Sequence, residues 1–123
     1  MRIVDANIIL RYLLNDNAEL SPRAREIIEN GIIDVPVEVL CEVVYVLANV
    51  YKVGREEIGV ELNGFFEDTN CTLSNRRAVL KGLQFYAEGN LDFVDCILAG
   101  YKSVEGFEIY TFDKKMERFL NKL

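Results

Sequence analysis

The stretch "MRIVDANIILRYLL", Met1–Leu14, changes its periodicity halfway. "MRIVD" reads as a short buried strand. From Ala6 onward, Ile8, Ile9, Tyr12 and Leu13 recur at three- and four-residue spacing, which predicts a helix. A strand running directly into a helix through an acid, Asp5, is the opening of an α/β fold. In a parallel sheet, ligands bind outside the carboxyl ends of the strands, so Asp5 stands where chemistry is placed.

The rest of the chain repeats this alternation. "SPRAREIIENG" carries helix signals: Ser21 is read as the N-cap, Pro22 as the first helical residue and Gly31 as the stop. "IIDVP" reads as a second strand. "VEVLCEVVYVLANVYKVG" is the longest periodic segment, with Leu40, Val43, Val44, Leu47 and Val50 on one face; its length favours a buried helix over a strand. "REEIGVELNGFFED" is helical despite two internal glycines. "CTLS" reads as an edge strand, and "RRAVLKGLQFYAEG" as a helix ended by Gly89-Asn90. The helix of "LDFVDCILAG" ends near "SVEG", "FEIYTFD" reads as a strand, and "KKMERFLNKL" as a final helix. This pattern predicts an α/β fold with a mostly parallel sheet flanked by helices. The 123 residues suit a single domain, 1–123, with no repeat, linker or low-complexity segment.

Composition narrows the chemistry. Histidine is absent, which excludes Ser-His-Asp and Cys-His catalysis within the chain and zinc sites that use histidine. Cys41, Cys71 and Cys96 form no C-x-x-C pair and are odd in number, so a disulfide framework is not expected. No run of 18 or more apolar residues predicts a membrane span, and the N-terminus lacks a signal-peptide pattern, so a cytoplasmic location is expected. The formal net charge of −6 argues against a sequence-independent nucleic-acid binder. A metal site, however, concentrates acids by design, and carboxylate oxygens suit magnesium or manganese.

Four acids are singled out by position. Asp5 and Asp113 end the first and last predicted strands, at one edge. Glu42 lies within the apolar long helix, four residues after Glu38. Asp95 lies within "LDFVDCILAG", beside the apolar face of Phe93, Val94, Ile97, Leu98 and Tyr101, with Asp92 three residues earlier. An acid there needs compensation for desolvation. Structural roles remain open for each. Asp5 and Asp113 can cap the helices that follow, and Glu38 and Asp92 can be first-turn acids favoured by the helix dipole. Glu42 and Asp95 can form salt bridges, the latter with Lys102, two turns away.

In "IVDANIILRYLL", "VPVEVLCEVVYVL", "LDFVDCILAG" and "IYTFDKKM", in this order and spacing, the sequence resembles the PIN-domain ribonucleases, specifically the VapC toxins of prokaryotic toxin–antitoxin pairs. The resemblance covers nearly the whole chain. It implies a Rossmann-like, three-layer fold with four or five parallel strands, and magnesium- or manganese-dependent hydrolysis of RNA phosphodiesters. It also implies a homodimer and a cognate antitoxin. By the same resemblance Asp5, Glu42, Asp95 and Asp113 are the catalytic and metal-binding acids, gathered in one pocket. Asn7 supports Asp5, and Asp92 stands where many relatives carry an acid. Arg11, Lys114 and Lys115 are expected to contact the RNA backbone, with solvated surface charge as the alternative. Ala6 departs from the pattern, since a threonine or serine often stands there. A PIN-like domain that binds a partner without cleaving RNA is the competing expectation. A receiver-like phosphoacceptor and a haloacid-dehalogenase fold are disfavoured: Lys114 follows an acid, and position 7 is Asn.

Overall fold

The computed structural model describes residues 2–123, so residue 1 of the first predicted strand lies outside the described residues. The chain divides into two compact units, Met1–Ser74 and Asn75–Leu123.

In the first unit, α1 (Ala6–Leu14) is followed by α2 (Leu20–Glu29), β1 (Ile33–Asp34), α3 (Val37–Asn49), α4 (Arg55–Asp68) and β2 (Cys71–Thr72). β1 and β2 pair in parallel, Ile33 with Cys71 and Asp34 with Thr72. The opening segment adds one further parallel bridge, Ile3 to Asp34. The helices form for the expected reason. On α3, Leu40, Val43, Val44 and Leu47 are buried at three- and four-residue spacing. On α4, Ile58, Leu62, Phe65 and Phe66 turn inward, and Phe65 meets Tyr12 edge to face with ring centroids 5.6 Å apart.

The start of α2 differs from expectation. Ser21 does not cap it: the helix begins at Leu20, and Asn17 Oδ1 accepts from the amides of Glu19 and Leu20 at 3.0 and 2.7 Å. Ser21 is buried within the helix, where its hydroxyl accepts from the Asn17 amide at 3.2 Å. Pro22 is therefore the third helical residue, still within the first turn, where no intrahelical partner is lost. At the other end, Arg2 donates to the carbonyls of Asn30 and, at 3.1 Å, Ile27. A cation there satisfies last-turn carbonyls and suits the helix dipole.

The second unit holds α5 (Arg76–Glu88), α6 (Phe93–Glu105) and α7 (Lys114–Leu120). α5 and α6 pack almost backbone to backbone. A Cβ on Gly82 would lie 2.8 Å from the Cys96 carbonyl oxygen, and one on Gly100 2.1 Å from that of Ala78. This close approach corrects the expected face of α6. Small residues Cys96, Ala99 and Gly100 turn inward with Phe93 and Ile97, while Val94 is 55% and Leu98 37% exposed. Residues 107–113, expected as a strand, carry no regular secondary structure and pair with no strand among the described residues. The sheet of the described residues is thus two short strands and one bridge, smaller than the four or five strands expected. No helix among the described residues is long and apolar enough to cross a membrane.

Candidate functional site

The first unit carries Asp5, Asn7, Arg11 and Glu42. Asp5 is the N-cap of α1: one carboxylate oxygen accepts from the Ile8 amide at 3.2 Å. The cap role and a role in chemistry are compatible, because the second oxygen has no hydrogen-bond partner from α1. Asn7 is exposed in the first turn. Glu42 is exposed on α3, one turn after Glu38, and no salt bridge holds it among the described residues. Cys41, between them in sequence, is half-buried; burial, and then the charge of Glu38, push its thiol pKa up, so it stays a neutral thiol.

Arg11, expected to contact RNA, is engaged within the first unit. Its Nη2 donates to the Tyr51 hydroxyl at 2.6 Å and its Nη1 to Asp16 Oδ1 at 2.7 Å. The bond to Tyr51 holds the guanidinium above its ordinary pKa, so it is permanently charged. Nothing in the sequence pairs positions 11 and 51; the contact arises only because α1 packs on α3.

The second unit carries Asp92, Asp95, Asp113, Lys114 and Lys115. Asp92 is the N-cap residue of α6, without a side-chain cap bond. Asp95 is therefore in the first turn of α6, not in its middle, and the dipole at the helix start favours a carboxylate there. Two stronger effects oppose ionisation. Burial, then the charges of Asp92 and Asp113, raise the Asp95 pKa above the ordinary carboxylate value. No ion pair joins Asp95 to Lys102 among the described residues, so that structural role is not used. Asp113 caps α7, accepting from the Met116 amide at 2.8 Å. It follows a stretch without strand pairing, and so reaches Asp95 through the packing of α7 on α6. Lys115 is engaged, donating to the Asn90 carbonyl at 2.8 Å; Lys114 is exposed.

The structure thus sets Asp92 and Asp113 near enough to Asp95 for their charges to act on it. Within either unit, no three acid or thiol side chains of the described residues form a group that could hold a metal ion. The donor chemistry nonetheless fits a hard divalent cation: oxygen ligands only, partly exposed and short of counter-charge. Sequence reasoning missed Tyr51, Gly82 and Gly100. Glycines inside helical patterns were the available signal for the last two.

No curated protein and no solved structure matches the chain. The model of the PIN domain family matches residues 2–120, nearly the entire sequence. PIN domains are generally nucleases, and those nucleases usually use divalent metals. With its acids at the starts of α1, α6 and α7 and on α3, the chain belongs to the PIN domain family.

Proposed function

We propose that the protein is a magnesium- or manganese-dependent endoribonuclease, the toxin of a toxin–antitoxin pair of the VapC type. The observation that carries this reading is the raised proton affinity of Asp95 beside Asp92 and Asp113: an acid kept beside other acids, without a basic partner, awaits a cation. The candidate metal-binding acids are Asp5 and Glu42 in the first unit, with Asn7 supporting Asp5, and Asp95 and Asp113 in the second, with Asp92 adding negative charge. When bound, a divalent cation polarises a phosphodiester and generates hydroxide from water near neutral pH. The chain's own contribution is to hold carboxylates at the starts of α1, α6 and α7 and on α3, and to offer oxygen donors that favour hard cations.

Thirteen of the 20 acids precede residue 75, whereas eight of the 14 basic residues follow it, so backbone contacts to RNA fall to the second unit. Lys114 and Lys115 are both exposed candidates there, and Lys115 reaches RNA by releasing Asn90. A homodimer and an antitoxin that lays an apolar helix in a groove, with a basic side chain toward the acids, belong to the same reading. The competing reading, a PIN-like binding module without catalysis, draws on the lack of a three-acid group within either unit.

Incubation of purified protein with single-stranded RNA, in EDTA and in manganese, separates the two. Cleavage that requires the metal and disappears in Asp5→Asn, Glu42→Gln and Asp95→Asn is expected. Wild-type-like cleavage by folded Asp95→Asn would refute the site. Co-purification of the product of the neighbouring gene tests the antitoxin.

A further inference from the structure

We propose that Arg11 is a positioning residue, whose hold on Tyr51 sets how Asp5 and Glu42 stand to one another. The inference rests on reading those two acids as metal ligands. Arg11 lies in the last turn of α1, and Tyr51 lies just beyond the end of α3. Their 2.6 Å bond joins the two helices at matching ends. Both acids lie toward the starts of their helices from this point, Asp5 six residues before Arg11 and Glu42 nine before Tyr51. At 1.5 Å per residue these are arms of about 9 and 13 Å. A pivot of about 10° at the clamp would displace the Glu42 end by about 2 Å, against a tolerance of about 0.5 Å for a binding constellation.

The clamp is built for orientation. The guanidinium is fixed by two bonds of its fork, to Tyr51 and to Asp16, and its Nε is buried without a partner. Lysine, a point charge on a flexible stem, cannot reproduce the two-pronged hold. The Asp16 bond, by contrast, returns to the segment that follows α1 itself and does not engage α3.

Manganese titration followed by the electron paramagnetic resonance of free Mn2+ tests this. Tyr51→Phe and Arg11→Lys should weaken the Kd about three- to tenfold with the circular dichroism unchanged, whereas Asp16→Asn should stay within about twofold. Wild-type affinity in Tyr51→Phe, or an equal loss in Asp16→Asn, overturns the proposal. A second measurement does not depend on the metal. Nitroxides at the exposed positions Asn7 and Glu38, in a Cys41→Ser background, report the spacing of α1 and α3. The distance distribution should broaden or shift in Tyr51→Phe, and an unchanged distribution overturns the clamp. Absence of manganese binding by the wild type would count against the metal site alone, leaving the clamp to the distance measurement.

Discussion

Replacing Gly100 by alanine puts a single methyl group where α5 and α6 meet. That Cβ would stand 2.1 Å from the Ala78 carbonyl oxygen, 3.0 Å from the Gly82 nitrogen and 3.2 Å from the Ala78 carbonyl carbon. Ordinary contact begins at 3.4 Å, so relief requires about 1.3 Å of separation between two helix backbones. No flexible side chain can absorb it, because all three contacting atoms are main chain. Overpacking of this kind costs roughly 1–3 kcal/mol, and a main-chain clash belongs at the upper end, about 3. Alanine recovers about 1 kcal/mol of helix propensity, for a net loss of about 2 kcal/mol. In a chain of this size that lowers Tm by about 8 °C. Thermal and urea denaturation, followed by circular dichroism, measure it. Gly64→Ala is the control: nothing lies within 4 Å of its Cβ, and propensity alone should raise stability by up to about 1 kcal/mol. A Gly100→Ala protein that melts at or above wild type would refute backbone-to-backbone packing, because only propensity would then be felt.

Asp95 makes a pH-dependent prediction. Its folded pKa is raised, so protonation favours the folded state; that contribution is full below the ordinary aspartate value of about 3.9 and is lost as pH rises through the raised value. In EDTA at neutral pH, Asp95→Asn should therefore hold or raise Tm, and the gain should shrink toward pH 3; a mutant that melts lower at pH 7 would point to a structural partner instead. Manganese at 100 times its Kd should stabilise the wild type by about 2.7 kcal/mol, and Asp95→Asn should lose most of this in paired thermal melts. Asp113→Ala removes the α7 cap and should cost about 1 kcal/mol, while Asp113→Asn should keep the cap and the stability yet lose cleavage. Equal cleavage by Asp113→Asn and wild type would reduce Asp113 to a cap.

The helices were legible along the chain because their signal is local: the spacing of Leu40, Val43, Val44 and Leu47 marks a buried stripe whatever lies against it. The family was legible in the same way: "IVDANIILRYLL", "VPVEVLCEVVYVL", "LDFVDCILAG" and "IYTFDKKM" follow one another along the chain, and the match over residues 2–120 bears out the PIN-domain resemblance. Other features depend on what each element meets. Val94 and Leu98 are apolar by type yet face solvent, because Gly82 and Gly100 let α5 approach the small-residue face of α6 instead. "FEIYTFD" is rich in the aromatic and β-branched residues that strands favour, but a strand exists only through a neighbour's hydrogen bonds, and residues 107–113 have none among the described strands. Asn17, rather than Ser21, accepts from the amides at the entry to α2, since either residue type can do so and the turn geometry chooses between them. Arg11 reads as surface charge until α3 brings Tyr51 to it, 40 positions away. Periodicity and residue chemistry are properties of a segment and survive unfolding on paper; the identity of a partner, the face it covers and the proton affinity of an acid beside other acids exist only once distant segments share a space.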